Sequence, residues 1–259
     1  MTATAPRLGR GTVTGSTVLR QLTVERLCAW CGPLLMVVFA VGYVGLIGWL
    51  PPPSPSTSPV QITAMYEQHR PMILMGCFLL QVSMGMILPF GVSIAVQCRR
   101  IERDRIPTAT YVQLSSIAVA VVVVVLTAVF WAAAAFRAGT VSPEITSSDH
   151  DLGWFLFLYP WVPFTIWMIA IAVPILQQDD SDEPVYPRWV GFLSLWSAFL
   201  FAPAGMISLF TSGPFSWNGV IAFYLPVGVF FTWLVAMSVT TLRAIGLAER
   251  VASDCPAPG

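Results

Sequence analysis

Between Arg105 and Arg137 the chain runs from Ile106 to Phe136 with no ionisable side chain except Tyr111. Within that stretch, Ile117 to Val129 is an almost unbroken series of valine, alanine, leucine and isoleucine, followed by Phe130, Trp131 and four alanines. At 1.5 Å of rise per residue such a length covers the roughly 30 Å of bilayer hydrocarbon. No water is present at that depth to hydrogen-bond a peptide group, so the stretch predicts a transmembrane helix that satisfies its own backbone.

Composition extends the conclusion to the whole chain. Of 259 residues 56% are hydrophobic and 10% charged, with a mean hydropathy of +0.74, against about 25% charged in an ordinary globular domain. A polytopic, all-α membrane protein follows. All thirteen basic residues are arginine. Without lysine there is no Schiff base and no phosphate-gripping loop lysine. A formal net charge of zero gives no whole-molecule attraction to nucleic acid. The cysteines, at 28, 31, 77, 98 and 255, are odd in number and read as free thiols on a reducing side, not as a disulfide framework.

Read in order, residues 1–27 form a tail rich in threonine, glycine and arginine, and 28–50 a first span that Pro51, Pro52 and Pro53 stop. Ser58-Pro59-Val60-Gln61 has the form of a capping box with proline at the first helical position. It predicts a short helix to about Arg70 whose Ile62, Met65, Tyr66 and His69 share one face along the outer membrane surface. Further spans are expected at about 72–97, 112–136, 152–176, 189–210 and 219–242, with a tail at 247–259. The fourth contains Pro160, Pro163 and Pro174 and is expected to bend. The uncharged run from Trp189 to Leu242 is divided by Thr211-Ser212-Gly213-Pro214 and Trp217-Asn218-Gly219.

Arginine sets the orientation. Four lie in the N-terminal tail, four in loop 98–111, one in loop 177–188 and two in the C-terminal tail, against Arg70 and Arg137 on the other side. Basic loops stay cytoplasmic, so the six-helix bundle is expected to have both termini inside a plasma (inner) membrane. Trp49, Trp131, Trp154 and Trp217 then fall at the outer interface, and Trp30 and Trp189 at the inner one. The acidic loop with Asp179, Asp180, Asp182 and Glu183 is placed to pair with Arg99, Arg100, Arg103 and Arg105 across the inner face, or to be solvated independently of them.

Cys98-Arg99-Arg100-Ile101-Glu102, Asp151-Leu152-Gly153-Trp154, Pro187-Arg188-Trp189-Val190-Gly191 and Gly213-Pro214-Phe215-Ser216-Trp217-Asn218-Gly219 resemble segments of a group of six-span actinobacterial membrane proteins. The resemblance covers roughly positions 28–246. It implies the architecture and, since that group carries no assigned activity, supplies no catalytic residue.

Two places hold chemistry-bearing side chains. On the outer side Glu67, His69, Arg70, Arg137, Asp149, His150 and Asp151, with Glu144, fall in or beside two loops. Their chemistry suits acid–base work or a divalent ion, and the reading preferred over both is a structural ion pair of Arg70 or Arg137 with Glu67 or Asp151. No metal-diagnostic spacing occurs among them and no metal site is expected. Cys28-x-x-Cys31 lacks a second C-x-x-C and reads as small apolar helix residues.

Within the spans there is no Asp, Glu, His or Arg, whereas ion-coupled pumps build their relays from such groups. With both histidines outside the spans haem has no usual ligand, and no cofactor is expected. Bent C-terminal helices and aromatic side chains set deeper than the interface belt suggest a pocket, with Trp161, Phe164, Thr165, Trp196 and Trp233 as its candidate residues. Gly42-x-x-Gly45-x-x-Gly48 offers a smooth stripe for close helix contact.

Three functions follow in order of expectation. The first is a non-enzymatic protein that binds or passes a small apolar or amphiphilic molecule between the C-terminal helices. The second is an accessory or scaffolding subunit whose membrane-protein partner docks on the inner loops, and the third an enzyme using the outer histidine and carboxylate cluster. The lipid bilayer is the one partner all three share.

Overall fold

The computed structural model describes residues 15–103, 105–179 and 183–254. Among the described residues eight α-helices carry the fold: α1 (Gly15–Phe39), α2 (Pro59–Gly85), α3 (Ile87–Glu102), α4 (Thr108–Arg137), α5 (Pro143–Leu158), α6 (Trp161–Gln177), α7 (Arg188–Phe201) and α8 (Leu225–Asp254). No strand occurs among the described residues. Two wide-turned π-helical stretches, Ala40–Ile47 and Val220–Tyr224, extend α1 and precede α8, and a tight 3-10 stretch, Ala202–Ser208, continues α7.

These elements combine into six helical passages long and apolar enough to cross a membrane: Arg20–Ile47, Pro59–Glu102, Thr108–Arg137, Pro143–Gln177, Arg188–Ser208 and Val220–Ser253. The outward faces are apolar along their length, with Val37, Val41, Phe78, Val119, Val122, Trp196 and Phe199 all exposed. So much exposed hydrocarbon suits lipid and not water. The molecule is thereby suited to be a multi-pass integral membrane protein.

Helix α4, the uncharged stretch that precedes Arg137, is the hub. It packs against α2, α3, α5 and α6, while α1 lies against α8 and α3, and α7 against α6 and α8. Apart from Gln113 and Trp131 its inward positions are small or β-branched (Ala120, Val121, Val124, Thr127, Ala128, Ala134 and Ala135 are buried) and let its neighbours approach closely.

Where the passages bend, proline or glycine explains it. The second is broken at Met86, between α2 and α3, because Pro89 has no N–H to give back to the preceding turn. The fourth is broken at Tyr159 and Pro160, as the prolines predict. Gly48, at φ +73°, ends the first passage in the left-handed region that suits glycine. The glycine stripe is used once: a Cβ on Gly42 would sit 3.1 Å from the Gly76 carbonyl, and one on Gly76 2.8 Å from that of Gly42, whereas Gly45 meets nothing closer than 3.9 Å.

The capping box forms as written. Gln61 N–H donates to Ser58 Oγ at 3.4 Å, and Ser58 N–H to Gln61 Oε1 at 3.2 Å, with Pro59 at the first position. The helix it starts does not stand apart on the surface. It runs into the second passage as the opening of α2, with one departure at His69 (φ −117°, ψ 18°), two residues before Pro71. Ile62 and Tyr66 are buried against the bundle.

Helix α1 also begins earlier than its apolar run, at Gly15, because it packs beside the extended α8. Leu22, Ala29 and Ile245 bury one another. Arg26 pairs with Glu249 at 3.1 Å.

At this arginine-rich end Arg100 is taken by Glu25 of α1 at 2.8 Å. Gln97 closes the triangle: its Nε2 donates to Glu25 Oε2 at 2.9 Å and its Oε1 accepts from Arg100 at 2.8 Å. Asp180 and Asp182, like Cys255, lie outside the described residues. Gln97 is fully buried, so Glu25→Ala strands its amide and is expected to lower stability by about 1–3 kcal/mol. Arg26→Ala, which opens the more exposed pair, should cost about 0–1 kcal/mol. Thermal unfolding of the two variants in detergent checks the order, and equal midpoints would refute it.

Candidate functional site

A cavity of about 80 Å³ lies where the bends converge, among Leu35 and Phe39 of α1, Ser83, Met84 and Ile87 at the second-passage break, Val124 of α4, Phe157, Leu158, Trp161 and Phe164 around the fourth-passage break, Phe201, and Pro226, Val227, Phe230 and Phe231. Its walls carry no ionisable side chain. Among the described residues only Ser83 and Trp161 bring a polar hydrogen to the lining, and the Ser83 hydroxyl already donates to Leu80 O at 2.9 Å. Trp161 lies so close over Gly205 that a Cβ there would overlap its indole Nε1. Phe164 meets Phe230 edge to face at 5.6 Å and Phe201 at 5.9 Å.

Of the five residues expected to form a pocket, the structure brings Trp161 and Phe164 onto this wall. Trp233 is one layer behind, stacked under Phe230 with ring centroids 6.2 Å apart. Its indole donates to Ser194 Oγ at 2.9 Å, tying α8 to α7. Thr165 donates to Ala198 O at 3.2 Å and joins α6 to α7. Trp196 is 63% exposed and turned away, beside Phe199.

The lining residues that sequence reasoning missed, Phe39, Phe157 and Phe231 above all, carry no local signal. Their convergence depends on how six passages register against each other. Pro89 is the one overlooked mark, since it announces the break that puts Met84 and Ile87 beside the cavity.

Beyond Phe157 lies an aromatic cluster at the end opposite the arginines. Trp49, Trp131 and Trp154 have exposures of 4, 0 and 0%, so these tryptophans, expected as an interface belt, are turned into the protein. Trp217 joins them, stacked on Trp154 at 6.2 Å. The inward turn is allowed because three of the indole N–H groups find partners inside. Trp131 donates to His150 O at 3.3 Å, Trp154 to His150 Nε2 at 3.0 Å, and Trp217 to Pro53 O at 2.8 Å.

His150 is the centre of that cluster and is fully buried. An indole N–H can only donate, so Nε2 is an acceptor and the ring proton resides on Nδ1. From there it is donated to the Tyr66 hydroxyl oxygen at 2.9 Å. Trp49 caps the ring edge on at 5.1 Å. With both nitrogens engaged, His150 has no lone pair left for a metal or a substrate.

The other polar residues of that end stay apart from it. His69 is exposed, with Nδ1 3.4 Å from Met65 O. Arg70 donates to Ala138 O, the unpaired acceptor at the end of α4, and Arg137 lies over the Phe136 ring at 5.4 Å. Glu67 is exposed beside Gly139, and Asp149 and Asp151 are half-buried on α5. Among the described residues the ion pairs, Arg26 with Glu249 and Arg100 with Glu25, are both at the arginine end. No group of three or more His, Cys, Asp or Glu able to hold a metal occurs among them.

A wider cleft of about 430 Å³ lies at the arginine end among Ile101, Glu102, Arg105, Ile106, Ala109 and Val112 and the facing side of α6. Its carboxylate is committed: Glu102 accepts from the backbone N–H groups of Ala109 and Thr110 at 3.2 and 3.3 Å and so caps α4. No family model, curated protein or solved structure matches the chain.

Proposed function

We propose that this protein is a plasma-membrane protein of six spans, with both termini cytoplasmic, that binds or passes a small apolar or amphiphilic molecule and is not an enzyme. The observation that carries the reading is the cavity at the converging bends, lined by aliphatic and aromatic side chains with no ionisable group among them and with its one hydroxyl, on Ser83, already bonded to Leu80 O. Such a wall recognises shape and hydrocarbon. The orientation rests on the distribution of arginine and the six-span architecture on the apolar passages. The resemblance to six-span actinobacterial proteins agrees with it.

A ligand that prefers the native state must stabilise it. At a concentration a hundredfold above Kd the gain is about 2.7 kcal/mol, which moves the unfolding midpoint of a chain this long by several degrees. Purified protein screened against fatty acids, lipids, sterols and small aromatic compounds should show such a rise with at least one apolar class. Phe164→Trp, which fills the cavity, should abolish it. A flat response across the panel refutes the proposal.

A further inference from the structure

The central cavity is closed toward both ends of the bundle and thin-walled toward one side. Phe157 on its wall is backed by Tyr43, Trp131 and Trp154 within 6.2 Å, so the way toward the aromatic end is filled by rings. Toward the arginine end Trp167 and Trp233 are fully buried against Phe164 and Phe230. Sideways, a groove of about 390 Å³ runs between the first and last passages and shares Phe39, Phe157, Val227 and Phe231 with the cavity. Both π-helical stretches border it, through Ala40, Tyr43 and Val44 on one side and Phe223 and Tyr224 on the other. Its rim is open: Val44 and Leu50 are 47% and 50% exposed, and nothing lies within 4 Å of a Cβ placed on Gly228.

We infer that the ligand enters through this side, and that it is the hydrocarbon tail of a bilayer lipid, lying in the groove with its end passed between Phe39 and Phe231 into the cavity. The inference rests on the function proposed above. Size decides the ligand class. The groove falls within the roughly 300–1,000 Å³ of ordinary ligand sites while the cavity is several times too small for a drug-sized molecule, so a slender chain end fits where a ring system does not. Continuity decides the route, because the groove and cavity are separated only by side chains they share. The Phe39 and Phe231 rings touch at 5.1 Å. Neither makes a hydrogen bond through its side chain, so either can swing about χ1 without stranding a polar group. Wide π turns are frequent at functional sites for a related reason: they loosen the backbone ladder where a side chain must move.

The test uses the full chain in phosphatidylcholine vesicles doped with a phosphatidylcholine bearing a diazirine at the end of one acyl chain, illuminated and mapped by peptide mass spectrometry. Adducts are expected on Phe157, Phe164 or Phe231 as well as on the outward Trp196 and Phe199. Gly228→Trp, which fills the groove, should lose the first set and keep the second. Val44→Trp fills it from the opposite wall on a lipid-facing position and carries the test if the first variant does not fold. Cavity adducts that persist in the folded variants overturn the route while leaving the proposed function standing. Absence of cavity adducts in the unaltered protein, with apolar ligands still raising its unfolding midpoint, overturns the lipid tail as occupant. Absence of both removes the function as well.

Discussion

Gly153→Val is expected to yield little or no folded protein. Gly153 is buried in α5 against α4, and a Cβ there would overlap Nε1 and Cδ1 of Trp131 and sit 2.9 Å from its Cε2. The indole has nowhere to go. It is fully buried, held by its hydrogen bond to His150 O, and met edge to face by Trp49 at 5.0 Å and Trp154 at 5.1 Å. One added carbon in so packed a place costs about 1–3 kcal/mol, the expected loss for Gly153→Ala. Valine brings two more carbons into the same space, which is a large share of the roughly 5–15 kcal/mol that holds a domain together. Gly228→Ala is the control. It adds the same methyl group where there is open space, relieves a glycine in a helix, and should stabilise by about 0.5–1 kcal/mol. Size-exclusion yield and thermal midpoints in detergent check the series. A Gly153→Val protein as abundant and as stable as the parent would show that the two helices do not meet as described.

The passages were legible in the sequence because bilayer thickness and backbone satisfaction are one-dimensional constraints. A run such as Ile106 to Phe136 either is long enough or is not, and its neighbours in space do not enter. The same holds for the capping box at Ser58 and Gln61 and for the break at Pro160, each set by atoms a few residues apart. Position along the chain did not determine which way a side chain turns. Trp131 and Trp154 have the spacing of interface tryptophans, yet they face inward because His150 happens to offer each of them an acceptor. Arg70 stands near carboxylates in sequence and is used by a carbonyl at the end of α4. For the candidate site the sequence indicated the neighbourhood, through the bend at Pro160, and two of the wall residues, Trp161 and Phe164. Phe39 and Phe231 are 192 positions apart, and only the packing of first against last passage makes them neighbours.

His150→Phe is expected to be the most damaging substitution at the aromatic end that keeps the volume filled. It leaves no cavity, so the loss reports hydrogen bonds alone: the Tyr66 hydroxyl and the Trp154 indole N–H remain buried without the partners they now have at 2.9 and 3.0 Å. An orphaned buried polar group costs about 1–3 kcal/mol. Interhelical hydrogen bonds in membranes average nearer 0.6 kcal/mol, because the unfolded chain within lipid finds other partners. In this cluster Trp49, Tyr66, Trp131 and Trp154 seal the ring from both lipid and water, which favours the larger figure, and the sum over the two groups comes to about 2–6 kcal/mol. Tyr66→Phe strands only the His150 Nδ1–H and should cost about half as much. The double variant should be less damaged than the two singles added, since removing Tyr66's hydroxyl also removes one of the groups that His150→Phe orphans. Thermal midpoints of the four proteins give the coupling directly. Additive losses would mean that Tyr66 and His150 do not share a hydrogen bond, and an unaltered midpoint in His150→Phe would mean that the ring is not the centre on which α2 and α5 are joined.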